Sequence, residues 1–200
     1  MPNKTVGRGR RPGGSDSRER ILAAARERFL ADGYQAVTLR SVAAAAGVDS
    51  ALPSYFFGSK QGLFAASMAL AVNPADVLDH VLAGEHDGLA ERVLRGVLGV
   101  WDDPTSGPPL RTMLTTAMTD PALTRLVREA VGRELIDRLT ARFGGPAGRE
   151  HAAAFSLQVA GLILSRYVLE LDPIASMTPD EIIRRCAPAL QVVVDSATRP

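Results

Sequence analysis

From about position 15 onward, apolar residues return every three or four positions, and no stretch alternates residue by residue. That period keeps one stripe of a helix against a core, whereas a half-buried strand needs a period of two. The pattern predicts an all-α chain. Asp16 and Glu19 have capping-box spacing, Ile21, Leu22, Ala25 and Phe29 share a face, and Gly33 supplies a stop, so these residues predict the first helix. Thr38 caps a second, short helix through Ala46, in which Leu39, Val42 and Ala43 turn inward and Gly47 is free to adopt the left-handed backbone of a tight turn. A third short helix runs from about Ser50 to Phe56. Pro53 costs about 3 kcal/mol inside a helix but little in its first turn, so this helix is predicted to start at Asp49 or Ser50. Beyond Gly58 the breakers fall at intervals suited to a bundle, with helices predicted near Lys60 to Val72, Ala75 to Ala83, Leu89 to Asp102, Leu110 to Thr119, Ala122 to Phe143, Arg149 to Leu171 and Asp180 to Thr198.

Composition adds a core and an asymmetry. With 46% hydrophobic and 22% charged residues, the 200-residue chain can bury a full core. Up to Lys60 there are ten basic and five acidic residues, a balance of +5, against 13 basic and 17 acidic beyond it, a balance of −4. Such opposition suggests a polyanion-binding end and a body that does not bind polyanions. The three expected parts are a basic arm at 1–14, too poor in apolar side chains to offset its ordering entropy, a small basic helical unit at 15–60 and a helical body at 61–200. The single Cys186 reads as a small buried residue and fits a reducing cytoplasm. No export signal, membrane span, metal-ligand set or phosphate-cradling loop is visible. With His80, His86 and His151 scattered and no nucleophile partner evident, neither an enzyme nor a cofactor is expected.

Two short helices joined by a glycine turn form a helix-turn-helix, whose second helix enters the major groove while the first braces it. The string from Thr38 to Phe64, TLRSVAAAAGVDSALPSYFFGSKQGLF, closely resembles the DNA-binding signature of TetR-type regulators, with Thr38, Ala43, Ala46, Gly47, Val48, Tyr55, Phe57, Ser59, Lys60 and Leu63 at the matching positions. Asn73-Pro74-Ala75, Trp101-Asp102-Asp103-Pro104 and Arg166-Tyr167-Val168-Leu169 followed by Pro173 are similar to an actinobacterial-type C-terminal domain of that family. The resemblance implies an N-terminal three-helix helix-turn-helix domain and a C-terminal helical bundle for ligand binding and dimerisation.

The resemblance places Thr38 against a phosphate, and Arg40 projects toward the DNA backbone from the first turn of the second helix. Ser50, Ser54 and Tyr55 lie on or beside the outer face of the third helix, where hydroxyls reach base edges or phosphates. Leu39, Val48, Asp49, Pro53 and Phe57 complete the candidate surface, although Phe56 and Phe57 are better suited to core packing. The macrodipole disfavours Lys60 in a first helical turn unless an anion, such as a DNA phosphate, binds there. Pro53 and Ser54 depart from the family pattern, which has an aliphatic residue and then Tyr or His; the change puts base specificity in question and shifts the phosphate contact toward Tyr55. In the arm, Arg8, Arg10 and Arg11 resemble a minor-groove hook with one arginine inserted.

So small a reader needs two copies, and hence a homodimer on double-stranded operator DNA. Ala153, Ala160 and Gly161 on the penultimate helix and Ile183, Leu190 and Val194 on the last one are the candidate interface. The family resemblance implies an effector cavity among the central helices, for which Trp101, Leu110, Met113, Leu114, Met118, Phe155 and Gln158 are candidates; their character suits a small, largely apolar effector. The expectation is thus a repressor released from its operator by that effector. The competing reading is a helical small-molecule-binding protein whose specific DNA binding has weakened or gone.

Overall fold

The computed structural model describes residues 13–197, and among these all regular structure is helical. The order is α1 (Gly13–Asp32), α2 (Leu39–Ala46), α3 (Leu52–Phe57), α4 (Lys60–Ser67), α5 (Pro74–Leu82), α6 (Leu89–Asp102), α7 (Gly107–Ala117), α8 (Pro121–Val131), α9 (Asp137–Phe143), α10 (Gly148–Ile163) and α11 (Pro179–Ser196). One π turn, Gly132–Ile136, joins α8 to α9, and a second, Leu164–Val168, extends α10.

Local chemistry sets most boundaries. At α2 the Thr38 side chain accepts from Ser41 N–H and the Ser41 side chain accepts from Thr38 N–H, both at 3.0 Å, so two end groups of the helix are satisfied reciprocally. Gly47, at φ 62°, ends α2 in left-handed backbone. Helix α11 opens with a second reciprocal cap between Thr178 and Glu181, and Asn73 and Asp120 cap α5 and α8 ahead of a first-turn proline.

Several elements differ from the sequence expectation. Helix α1 starts at Gly13, so Asp16 lies inside it and faces Arg20 at 3.9 Å instead of capping. Helix α3 starts at Leu52, not at Asp49 or Ser50, because the Asp49 side chain takes the Ala51 N–H at 2.8 Å and forms a turn that delays the helix. Helix α4 stops at Ser67, where Leu70 N–H turns back to Ala65 O at 2.9 Å and Ala69 adopts φ 57°. The two long helices expected at 122–143 and 149–171 each contain a π turn, which hydrophobic spacing does not reveal.

Two main clusters hold the chain together. Ile21 and Phe29 of α1, Tyr34 and Val37 of the α1–α2 connection, and Leu63 and Phe64 of α4 meet Ala117 of α7 and Leu123 and Leu126 of α8. The rings of Phe29, Tyr34 and Phe64 lie 5.1–5.8 Å apart, an aromatic triangle that locks α1 to α4. Leu89, Leu98, Leu139, Phe155, Ile182 and Leu190 centre the second cluster, which packs α6, α9, α10 and α11.

Along α11, Ile183, Leu190 and Val194 are buried within this one chain, so the expectation that they form an interface is corrected: α11 turns that stripe onto its own core, including α6. The outward side differs. Ala153, Ala160 and Gly161 of α10 are exposed, as are Leu157 at 74% and Val192 of α11 at 66%.

Candidate nucleic-acid interface

The α2–turn–α3 unit is braced from beneath by α1. The Arg20 guanidinium donates to Ala46 O and, at 3.0 Å, to Gly47 O, which ties the glycine turn to α1. Gly47 N–H and Val48 N–H bond back to Ala44 O and Ala43 O at 3.2 and 3.0 Å. Arg18 lies over the Phe57 ring at 5.4 Å, a cation–π contact between α1 and the far end of α3.

Helix α3 then divides by burial. Pro53 is buried, and Leu52, Phe56 and Phe57 are half-buried against the first cluster, which accounts for a six-residue helix holding its position. Asp49, Ser50, Ser54 and Tyr55 are exposed, with Tyr55 at 79%. A tyrosine ring left in water contributes little to folding; it meets Phe56 edge-on, with centroids 5.2 Å apart. Thr38 and Arg40 are exposed at the start of α2, where Arg40 has no ion-pair partner among the described residues.

Some candidates are placed otherwise than the sequence suggests. Pro53 is buried and not on the outer surface, a placement its apolar ring, with no N–H to satisfy, accepts at little cost. Leu39 and Val48 are half-buried against the first cluster. Lys60 sits in the first turn of α4 as expected, but its Nζ donates to Gln35 O at 3.2 Å and lies 4.6 Å from the Tyr34 ring centre. Burial against that ring pushes the ammonium below its ordinary range, and the Glu134 carboxylate opposes the shift. Lys60 is thus positioned with one flank open, not a free cation. Arg8, Arg10 and Arg11 lie outside the described residues.

Residues that sequence reasoning missed supply the scaffold of this surface. Tyr34 donates to Glu134 Oε1 at 2.7 Å; burial first, and that bond second, push its phenol above its ordinary range, so it remains a donor. The partners of Arg20 and Tyr34 lie 26 and 100 residues away, beyond the reach of any local pattern.

In the body, the proposed effector residues do not gather round one space. Leu110, Met113 and Trp101 pack with Ala65 and Leu70 in a small cluster between α4, α6 and α7. Phe155 belongs to the second cluster, while Gln158 and Met118 are exposed. Leu114 is half-buried on α7. The Gln158 assignment is corrected: although it stands three residues after buried Phe155, it is exposed, as is neighbouring Leu157. One open groove of about 460 Å³ runs between α6 and α11, and a second of about 340 Å³ is lined by Met118, Thr119, Thr124, Arg125 and Arg128. Among the candidates only Met118 borders either groove.

Among the described residues no cluster of His, Cys, Asp and Glu is arranged to hold a metal ion, and no helix is long and apolar enough to cross a membrane.

Comparison with known proteins gives two family matches. The family described as "Bacterial regulatory proteins, tetR family" matches residues 21–67, and "Tetracyclin repressor-like, C-terminal domain" matches residues 87–194. An uncharacterized HTH-type transcriptional regulator of Mycobacterium tuberculosis is 29% identical over 141 residues, covering 70% of this chain and 65% of the relative. The chain thus aligns with slightly less than two thirds of that relative's length. Among solved structures, a TetR-family regulator from Streptomyces coelicolor A3 is 34% identical, covering 94% of this chain and 99% of the other with a TM-score of 0.49. The multidrug binding protein EbrR, solved with proflavin, is 21% identical, covering 90% and 99% with a TM-score of 0.47.

Proposed function

Because the chain belongs to the TetR family of bacterial regulatory proteins, we propose that it is a homodimeric repressor that holds operator DNA through α2 and α3 and leaves it when a small, largely apolar effector binds the body. The observation that carries this reading is α3 itself: Leu52, Pro53, Phe56 and Phe57 fasten it down, and Ser50, Ser54 and Tyr55 are left facing outward. Hydroxyls there suit base edges and phosphates, while Thr38 and Arg40 at the start of α2 suit the backbone. In this reading residues 15–60 form the DNA reader, residues 61–200 the effector-binding and dimerising body, and the arm at 1–14 contributes phosphate or minor-groove contacts.

Dimerisation places two readers about 34–36 Å apart or a multiple of that distance. The outward faces of α10 and α11 support it: Leu157 and Val192 are large apolar side chains in solvent, and Ala153, Ala160 and Gly161 beside Leu157 allow close helix approach. For the effector, the α4–α6–α7 cluster around Trp101, Leu110 and Met113 is the favoured location, since methionine walls adapt to a guest.

Titration with fragments from the chain's own promoter region, at two salt concentrations, tests the DNA reading. A specific complex that survives competitor DNA is expected. Tyr55→Ala should weaken it and change its sequence preference, and Lys60→Ala should weaken all sequences alike and lower the salt slope by about one. Binding that is wholly erased by salt, with no preferred fragment, would instead favour a small-molecule-binding protein that does not read sequence.

A further inference from the structure

Among the charged side chains on the run from α8 through the π turn to α9, Arg125, Glu129, Glu134 and Arg138 fall at steps of four, five and four residues. On an uninterrupted α-helix, at about 100° per residue, the five-residue step would turn Glu134 roughly 140° from Glu129. Here that step overlaps the π turn, where Asp137 N–H closes on Gly132 O, and the wider turn brings Glu134 back to the same side. The contacts show the alignment. Arg125 donates to Leu30 O and Ala31 O at 3.1 and 2.8 Å, at the C-terminal end of α1. Glu129 accepts from Gln35 N–H at 3.2 Å, and its carboxylate lies 2.6 Å from where a side chain on Gly33 would begin. Glu134 accepts from Tyr34 at 2.7 Å and from Gln61 Nε2 at 3.2 Å.

These bonds converge on Lys60. Tyr34 presents its ring to the ammonium, Gln35 gives its carbonyl to Lys60 and its N–H to Glu129, and Gln61 is the next residue along α4. Glu134 is itself held by Arg138 at 3.2 Å, and Arg138 also pairs with Asp79 of α5. The chain of contacts therefore runs from α5 in the body, through one half-buried carboxylate, to the surroundings of Lys60 beside the reader.

We propose that Glu134 is a positioning residue for DNA recognition: through Tyr34 and Gln61 it sets where Lys60 and the entry to α2 stand, and the Arg125–Glu129–Glu134 stripe links the attitude of the reader to the state of the body. This inference rests on the DNA-binding reading above. Resolution of the π turn into regular α-helix would carry Glu134 off Tyr34 while leaving Arg125 on α1, so the link has a built-in point of release.

Hydrogen exchange and DNA titration on the full-length chain test it together. In Glu134→Ala, deuterium uptake across residues 33–48 should rise several-fold, with uptake across 148–163 unchanged. The preferred promoter fragment should bind about ten-fold more weakly and unrelated DNA within about two-fold, as expected when a charge-assisted contact that orients the reader is lost. Glu134→Gln, which keeps an acceptor for Tyr34, should recover part of both effects. Should Glu134→Ala unfold, Tyr34→Phe removes the same 2.7 Å bond and keeps the ring, and is read by the same two assays. Unchanged uptake across 33–48 overturns the proposal, as does raised uptake with specific binding intact. A wild-type chain without any preferred fragment defeats the DNA reading instead, and the exchange comparison still decides whether Glu134 holds the reader.

Discussion

Replacing Gly47 with alanine tests the helix-turn-helix at its tightest point. Gly47 sits at φ 62° and ψ 42°, a region that costs a residue with a side chain about 1–2 kcal/mol. An added Cβ would also stand 2.9 Å from Arg20 Nη2, so the guanidinium must withdraw from Ala46 O and Gly47 O. The Arg20 side chain is about half exposed, at 47%, and water replaces much of what it gives up, leaving a loss of about 0.5–1 kcal/mol. Together these amount to about 1.5–3 kcal/mol, or a drop in Tm of roughly 3–12 °C for a chain of this size. Urea and thermal unfolding followed by circular dichroism would measure it. In an Arg20→Ala background the penalty for Gly47→Ala should shrink to the backbone part, and Gly47→Asn should cost less than Gly47→Ala because asparagine tolerates left-handed backbone. A Gly47→Ala protein within about 0.5 kcal/mol of wild type would refute the reasoning, since it would mean that neither the backbone nor the arginine matters.

Other perturbations probe separate parts. Leu157→Asp and Val192→Asp place charges on an apolar face that the chain leaves uncovered, so light scattering should show a monomer with an unchanged helical spectrum; an undisturbed dimer would remove that face from the assembly. The backbone N–H of Thr178 holds the Glu181 carboxyl below its ordinary range, and Ser106 and Thr105 N–H groups do the same for Asp103. Since their folded values are depressed, both contribute stability above about pH 4, the ordinary carboxylate range, and lose it as pH falls through those lower values. Acid melts of Glu181→Gln should therefore show a shallower loss below pH 4 than wild type, and an identical slope would contradict the assignment. Leu126→Ala, at a fully buried position where α8 meets the first cluster, should cost about 2–5 kcal/mol in urea unfolding; a cost below 1 kcal/mol would mean the junction repacks freely.

The readable parts of this molecule were those whose causes are local. Thr38 and Gly47 announce the ends of α2 because a cap and a left-handed glycine act within a few residues, and the period of Ile21, Ala25 and Phe29 marks the buried side of α1 directly. The same logic reached Ser54 and Tyr55, which are outward when α3 is wound as its length requires. It did not reach the side of α11 that faces solvent. Ile183 and Val192 are both apolar, and only packing against α6 decides that the first is inside. Nor could it find the π turns, since one extra residue in a helix leaves the apolar spacing ambiguous, or Glu134, which reads as an ordinary solvated acid until Tyr34 is brought to it from 100 residues away.

The chain has one tryptophan, and it is far from the reader in sequence: Trp101 lies in the last turn of α6 with its ring stacked on Tyr167 at 5.2 Å, and the tyrosine hydroxyl donates to neighbouring Asp102 at 2.9 Å. Its emission is therefore a native optical gauge of the body alone. Mixing experiments need no dye: a spectral change on adding DNA would show that occupation of the reader is felt at this stacked pair, and a silent spectrum would show that the reader docks without disturbing it.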